Sequence, residues 1–301
     1  GTVDEIGIGT IRDAFADYFF PGTTTIQTRA RYFLFVPWIY QRLESKGTAS
    51  AEMARKLRAA ELGLLEAMRD TGVGEGEGLI GRQSGAALKR WPGNIYWAGL
   101  GRWGIRRFPG SQERYHRWLD TFYRRRRHAT EEIERELDGE YTANWDPDPH
   151  FPKVPEGFPE GMTMNMRRQD AEYLVHRIRI SCPGSLLASL LGNVSALETD
   201  AIWMLPNLAE LSSELQEQIW HARWFAQVMH GASLLYYWSA ASLGRQTERA
   251  DKAETLLNEW GSRLEEDWRD VLAWSAARRQ LWEGPAFREV KIQPRTRRFV
   301  E

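Results

Sequence analysis

The most constraining feature of this sequence is an uninterrupted apolar run near its start, residues 32–40 (YFLFVPWIY). A helix that is apolar on every face must be buried centrally, because no side of it is suited to water. We therefore expect residues 9–43, a short amphipathic helix followed by a Pro-Gly break and this apolar helix, to organise the fold. Pro37 is expected to kink the second helix or to end it near Val36.

Two arginines, Arg29 and Arg31, directly precede the apolar run. A charged side chain beside a buried helix is rarely buried without a partner. We expect the pairing to involve an acid of the preceding helix, Asp13 or Asp17. The alternative is that these arginines face an anionic ligand.

Helical periodicity continues beyond this stretch. Residues 50–70 and the long stretches 212–243 and 248–279 each carry an apolar stripe at helical spacing, and Gly244 separates the last two. Two long helices joined by a short break predict an antiparallel helical hairpin. The sequence therefore predicts a mainly α, multi-helical protein. In residues 50–70 the stripe consists of Met53, Leu57, Leu64, Leu65 and Met68.

A proline-rich stretch, residues 138–161, lies between the two helical halves. Its composition is typical of an extended, semi-rigid linker. We therefore predict an N-terminal helical domain over residues 1–137, a linker over residues 138–161, and a C-terminal helical domain over residues 162–301 built on the long hairpin.

Composition limits the classes of function that the chain can have. The net charge of −1 argues against attraction of the whole protein to nucleic acid or membrane, so that any basic surface is local. A single cysteine, Cys182, excludes an intrachain disulfide and fits a reducing cytoplasm. The longest apolar run is shorter than the roughly 20 residues that span a bilayer. We expect a cytoplasmic protein with no membrane segment or signal peptide; the missing initiator Met is consistent with trimming.

The strongest candidate for recognition is the basic and aromatic stretch 79–108. Trp91-Pro92-Gly93 separates two short helical stretches, a pattern like a helix-turn-helix. Arginines interleaved with tryptophans hold phosphates and stack on bases. Four consecutive arginines at 124–127 form a second basic cluster, and solvated helix surfaces are the alternative for both. The predicted nucleic-acid or partner-binding residues are Arg82, Lys89, Arg90, Trp97, Arg102, Trp103, Arg106, Arg107, Arg124, Arg125, Arg126 and Arg127.

Catalytic signals are weak. Glu289-Val290-Lys291, in an extended segment, is half of a metal-dependent nuclease motif in which the acid holds Mg²⁺ and the lysine stabilises developing charge. The second acid of that motif belongs on an adjoining strand, whereas the upstream acids Asp267 and Asp270 fall on a predicted helix. The sequence therefore does not decide whether the protein is an enzyme, and it favours a non-enzyme.

Two further stretches superficially suggest ligands. The glycine-rich stretch 72–78 carries two glutamates, which repel phosphate, and no Gly-Lys-Ser/Thr follows it. Asp146, Asp148 and His150 are interleaved with prolines and do not form a known metal-binding loop. We therefore predict no cofactor and no metal.

Three long stretches of the sequence resemble an uncharacterised bacterial family. They are GIGTIRDAFADYFFPGTTTIQTRARYFLFVPWIY near the start, YWAGLGRWGIRRFPGSQERYHRWLD at 96–120, and CPGSLLASLL at 182–191. The resemblance covers most of the chain, in matching order. Genes of that family stand among helicase, methylase and other anti-phage genes, which implies a role in a multi-protein defence system. The resemblance assigns no catalytic residue.

Three hypotheses about function follow. The first is a non-enzymatic component of a bacterial anti-phage system that recognises nucleic acid, DNA or RNA, and/or docks a helicase, methylase or nuclease, through residues 82–127. The second is a divergent metal-dependent nuclease that uses Glu289 and Lys291. The third is a structural scaffold that oligomerises through tryptophan-rich helices. Salt-sensitive binding favours the first, Mg²⁺-dependent cleavage the second, and a stable oligomer indifferent to both the third.

Overall fold

A computed structural model describes residues 7–72, 78–131, 143–192 and 199–301, without the side chains of 128–131. In these residues the chain is mainly α and multi-helical, as predicted, and no β-strand forms. None of the described helices is long and apolar enough to cross a membrane. The α-helices are α1 Ile8–Phe19, α2 Tyr32–Ser45, α3 Ser50–Asp70, α4 Pro92–Arg102, α5 Gln112–Glu131, α6 Arg168–Ser181, α7 Leu186–Leu190, α8 Ser213–Leu243, α9 Thr247–Glu266, α10 Trp268–Ala277 and α11 Pro294–Val300.

The chain divides into two compact units, and one of them is inserted into the other in sequence. The inserted unit is Phe20–Pro183, and the discontinuous unit combines Gly1–Phe19 with Gly184–Glu301. This division differs from the predicted domains 1–137 and 162–301. It also places α1 and α2 in different units, although the sequence analysis grouped them.

The helix α2 is the core of the inserted unit. Every residue of its apolar run is buried, as the all-apolar pattern predicts, and α3 and α4 pack against it. Phe33 of α2 stacks on Trp103, with ring centroids 3.8 Å apart. The helix does not end near Val36 but continues through Pro37 to Ser45. The lost backbone hydrogen bond at Pro37 is outweighed by apolar burial on all sides.

The close approach of α4 to α2 depends on a glycine. A Cβ atom added at Gly99 would meet the Phe33 ring at 2.9 Å and would also strike the backbone oxygen of Gly22. Any other residue would therefore push the two helices apart. The predicted apolar stripe of α3 is confirmed. Its five members are all buried: Met53, Leu57, Leu64, Leu65 and Met68.

The proline-rich segment packs into the inserted unit instead of linking two domains. Trp38 of α2 donates its indole N–H to the Pro152 carbonyl at 2.6 Å. Trp145, Phe151 and Phe158 are buried. Residues 138–142 of the predicted linker lie outside the described residues.

The discontinuous unit is built on the predicted hairpin of α8 and α9. Ser212 caps α8 by accepting the Leu215 backbone N–H at 3.3 Å. Trp260 of α9 donates to the Gln227 carbonyl at 2.9 Å, and its ring occupies the space that a Cβ atom at Gly231 would need. The predicted helix 248–279 is divided at Asp267 into α9 and α10.

The helix α1 packs in the same unit as the hairpin. The ring of Phe15 lies 6.4 Å from that of Phe225 on α8 and 5.1 Å from that of Phe287, edge to face in the second case. These contacts explain why α1 groups with residues that follow position 184 and not with its neighbour α2.

A buried ion cluster holds α6 in the inserted unit. Asp170, which is fully buried, accepts two hydrogen bonds of 2.9 Å from Arg167 and lies 4.0 Å from the buried guanidinium of Arg31. The prediction that Arg31 pairs with Asp13 or Asp17 is therefore wrong. Asp13 pairs with its neighbour Arg12.

We expect Asp170→Ala to lower the free energy of unfolding by about 3–5 kcal/mol, because it leaves the charge of Arg31 buried without its acid. The matched control is Glu172→Ala, which breaks the exposed pair with Arg168 on the same helix and should cost less than about 1 kcal/mol. Urea unfolding curves measure both. Equal losses of unfolding free energy in the two variants would show that the buried cluster stabilises the fold no more than an exposed ion pair.

Candidate nucleic-acid interface

The helix α5 turns one face toward the core of the inserted unit and the other toward solvent. Tyr115, Leu119 and Phe122 are buried on the inner face. On the outer face four exposed arginines fall within an arc of about 100° at 3.6 residues per turn. We call this set the arginine face: Arg114, Arg117, Arg124 and Arg125.

Three members of the arginine face carry no ion pair among the described residues. In the described part of the chain, the ion pairs include no carboxylate partner for Arg114, Arg117 or Arg124. Arg124 donates to the Thr121 hydroxyl at 3.2 Å. Arg117 and Arg124 are seven residues apart and so lie about 10 Å apart along one side of the helix. The guanidinium of Arg125 lies 4.9 Å from the centre of the Trp118 ring.

The two predicted tryptophans are not stacking platforms. Trp97 is 8 % exposed and donates its indole N–H to the Gly110 carbonyl at 2.9 Å. Trp103 is 4 % exposed and donates to the Pro21 carbonyl at 2.9 Å. Both rings are committed to the core, so they cannot stack on bases without unfolding the region around them.

The remaining basic residues of the stretch 79–108 divide between structure and surface. The guanidinium of Arg106 lies 4.5 Å from the Trp97 ring centre and donates to the Trp97 and Phe108 carbonyls. It therefore holds the turn after α4. Arg82 is half-buried. Lys89, Arg90, Arg102 and Arg107 are exposed.

The stretch 79–108 also differs from the predicted pair of helices. Its first part contains only the short 3₁₀ turn Gly85–Ala87. Trp91-Pro92-Gly93 is not a turn between helices but the start of α4, with Pro92 in the first turn, where proline is favoured. A recognition helix following a first helix is therefore not formed in these residues.

The four consecutive arginines do not share one role. Arg124 and Arg125 belong to the arginine face, whereas Arg126 and Arg127 line a pocket of about 350 Å³ together with Glu44, Ser45, Gly47 and Tyr123. The Glu44 carboxylate opposes an anion in that pocket. The outer face of α5 is therefore better suited to phosphate than the pocket behind it.

Glu44 ties three segments of the inserted unit together. Its Oε1 atom accepts hydrogen bonds from the Tyr115 hydroxyl, from the Asn144 amide at 3.1 Å and from the Trp145 indole at 2.7 Å. Burial raises the pKa of Glu44, and the three donors partly offset that rise. This carboxylate fixes the inner face of α5 and so positions the arginine face.

A second buried acid, Glu61, lies within the apolar stripe of α3. It accepts the Gly93 backbone N–H at 2.6 Å, at the start of α4. Burial raises the pKa of Glu61 to about 7, against the opposing effects of the Gly93 hydrogen bond and of Arg58. Close by, the hydroxyl of Tyr40 accepts from Gln112 at 2.6 Å and lies 3.2 Å from the His116 ring. Burial lowers the pKa of His116 to about 4.

The sequence analysis missed Arg114, Arg117, Glu44 and Glu61. The two arginines were detectable, because they share the polar face of α5 with Arg124 at three- and seven-residue spacing. Glu61 was detectable as a charge inside a stripe of leucines and methionines. Glu44 was not, since its three donors come from distant segments.

The proposed nuclease residues do not form the expected motif. Glu289 lies in a turn, and Lys291 lies in a segment without regular secondary structure. Both side chains are exposed. Among the described residues no group of three or more His, Cys, Asp or Glu is arranged to hold a metal ion. The glycine-rich residues 73–77 lie outside the described part of the chain.

Asp146, Asp148 and His150 are engaged with protein partners. Asp146 accepts the Tyr173 hydroxyl at 2.7 Å and pairs with Arg177 at 3.3 Å. Asp148 accepts both the backbone N–H and the ring nitrogen of His150. These contacts order the proline-rich segment against α6.

Comparison with known proteins identifies the family. Residues 1–282 match a family of unknown function, DUF6361. The chain belongs to this family. Neither the curated proteins nor the solved structures contain a match to it. Membership of DUF6361 confirms the resemblance to an uncharacterised family and brings no activity with it.

We expect the stability of the protein to depend on pH through Glu61. Its folded pKa of about 7 lies above the ordinary 4.5. The folded state therefore binds more protons between these values, and the stability that Glu61 contributes is lost as pH rises through 7. Relative to Glu61→Gln, which keeps an acceptor for Gly93 but does not titrate, wild type should lose about 3 kcal/mol between pH 4.5 and 8.

Urea unfolding at several pH values measures this difference. Glu66→Gln, which removes an exposed carboxylate from the same helix, is the control. A wild-type stability that runs parallel to that of Glu61→Gln at every pH would show that the pKa of Glu61 is the same in the folded and unfolded states.

Proposed function

We propose that this DUF6361 chain is a non-enzymatic component of a bacterial anti-phage defence system that binds the phosphate backbone of nucleic acid through the arginine face. The observation that supports binding is the arc of exposed arginines on α5, where Arg114, Arg117 and Arg124 have no carboxylate partner among the described residues. Arginine contacts to phosphate neutralise charge and carry no sequence information directly.

The burial of Trp97 and Trp103 shapes this proposal. Base stacking requires aromatic rings that are open to the ligand. These two rings are buried, and their indole N–H groups donate hydrogen bonds to backbone carbonyls. The proposed binding is therefore to the backbone and independent of sequence. Double-stranded DNA, with its dense phosphates, is the preferred ligand over a single strand that relies on stacking.

The defence role is supported by the family resemblance and not by the geometry. In this proposal the protein acts in the cytoplasm beside a helicase, methylase or nuclease that supplies the chemistry. The near-neutral net charge of −1 is compatible with such docking, because no large field repels a partner of either sign.

A salt titration of binding to double-stranded DNA tests the arginine face. The logarithm of the binding constant should fall linearly with the logarithm of salt concentration, because bound arginines release counterions. The double variant Arg117→Ala with Arg124→Ala should bind more weakly at low salt, and its slope should be smaller by about 2, or one for each lost phosphate contact.

The control removes two exposed arginines from the discontinuous unit, Arg249→Ala with Arg263→Ala on α9. It has the same change in net charge and should keep the wild-type slope. Equal weakening in both variants would indicate a general charge effect and contradict the assigned face. Absence of binding at low salt would reject nucleic acid as the ligand and leave docking of a protein partner.

The same two variants test the defence role. In a host that carries the complete gene cluster, wild type should lower the efficiency of phage plating. The Arg117→Ala, Arg124→Ala variant should restore plating toward the level of the deletion, and the Arg249→Ala, Arg263→Ala control should protect like wild type. Protection that is unaffected by the first variant would separate the defence role from DNA binding.

A further inference from the structure

A groove of about 570 Å³ lies in the inserted unit, where α2, α3 and the turn 158–161 meet. Leu43 and Phe158 are buried residues of its lining, and α3 contributes Gly63 and Ala67. Small-molecule sites in proteins have volumes of about 300–1,000 Å³ and a mostly apolar lining with a few polar groups. We call this site the charged groove, because five ionisable side chains also line it: Arg42, Lys46, Glu66, Asp70 and Glu160.

The charges of the groove are sorted by helix. Both cations, Arg42 and Lys46, lie one turn apart at the end of α2, whereas the charged residues that α3 contributes are the acids Glu66 and Asp70. In the described part of the chain none of these four side chains forms an ion pair. Arg42 instead donates to the Phe158 carbonyl, and its guanidinium lies 5.7 Å from the centre of that ring. A ligand that carries both charges would therefore complement both sides of the groove.

Gly63 provides an independent indication of an occupant. It lies in the interior of α3, where glycine is less favourable than alanine. The helical glycines Gly99 and Gly231 are required by close packing, but a Cβ atom at Gly63 would meet nothing within 4 Å. Packing among the described residues therefore gives no reason for a glycine at this position. The open space allows a ligand to lie against the backbone of α3.

We propose that the charged groove binds a short peptide with free ends. The ammonium group of the peptide lies toward Glu66 and Asp70. Its carboxylate lies toward Arg42 and Lys46, and a small apolar side chain packs between them on the apolar lining. This inference does not depend on nucleic-acid binding.

The size of the groove favours an extended peptide over a helix of a partner protein. One turn of α-helix with its side chains fills roughly 400–600 Å³, so the groove has room for about one turn. Recognition of a helix by a groove uses anchors spread over about two turns. An extended peptide of three residues instead holds its two charges about 10 Å apart, which is close to the usual distance between the axes of packed helices.

A ligand-observed NMR titration of the full chain with the tripeptide Ala-Leu-Ala tests the site. Wild type should bind this peptide with a dissociation constant below about 1 mM. N-acetyl-Ala-Leu-Ala and Ala-Leu-Ala amide each lack one charge and should bind at least about fivefold more weakly. Absence of binding at about 5 mM peptide, or equal binding of the blocked peptides, would overturn the proposal.

Paired changes of protein and peptide test the orientation. Amidation of the peptide should weaken binding less in Lys46→Gln than in wild type, because changes to interacting groups are not additive. Acetylation should likewise weaken binding less in the double variant Glu66→Gln with Asp70→Asn. In the control Lys252→Gln, on the exposed surface of α9, both modifications should have their wild-type effects. Additive effects throughout, or the reverse pattern, would overturn the assigned orientation.

A substitution at Gly63 separates loss of the site from loss of the fold. Gly63→Leu should weaken binding of Ala-Leu-Ala at least about tenfold by filling the groove, whereas its higher helix propensity should leave Tm equal or higher. Gly261→Leu on α9, where a Cβ atom also has open space, is the matched control and should bind like wild type. Unchanged binding in Gly63→Leu would overturn the placement of the peptide.

Discussion

The inserted unit depends on the polar atoms that its most buried helix carries into the core. Burial of a hydroxyl or an indole N–H is costly unless it finds a hydrogen-bond partner. Tyr32 of α2 accepts the Ile80 N–H at 3.0 Å, Trp38 donates to Pro152 and Tyr40 accepts from Gln112. These three bonds come from three separate segments, so satisfying α2 fixes the start of the 79–108 stretch, the proline-rich segment and α5 around it.

Helical periodicity predicted most of the helices but not which distant residues contact each other. The stripe of α3, the burial of α2 and the α8–α9 hairpin follow from spacing within one segment, and all are confirmed. The pairing of Arg31 with Asp170 joins positions far apart in sequence, which no local pattern encodes. The proline-rich segment is a similar case, because an extended linker and an extended segment packed on a helix have the same composition. Contacts to distant helices distinguish them, such as the bond from Trp38 to Pro152 and the bond from Tyr173 to Asp146.

In the candidate site too, the sequence indicated which residue types are present but not where each side chain points. A mixture of arginines and tryptophans predicted a surface, but composition does not say which way each side chain points. Trp97 and Trp103 donate hydrogen bonds to backbone carbonyls within the core. Arg106 donates to carbonyls of the turn beside them. The outward arginines lie on α5, where the polar face could be calculated from helical geometry. The acids behind them, Glu44 and Glu61, act by holding α4 and α5 in place.

The order of the two units in the sequence has a consequence for synthesis on the ribosome. Domains generally fold as they emerge, and the inserted unit is complete once residue 183 has left the exit tunnel. The helix α1 emerges before the inserted unit, yet Phe225 and Phe287, which cover Phe15, are synthesised after it. The entropic cost of closing that long loop is modest, since it grows only with the logarithm of loop length. The apolar face of α1 therefore stays uncovered until residue 287 has emerged, and over that interval a chaperone can bind it.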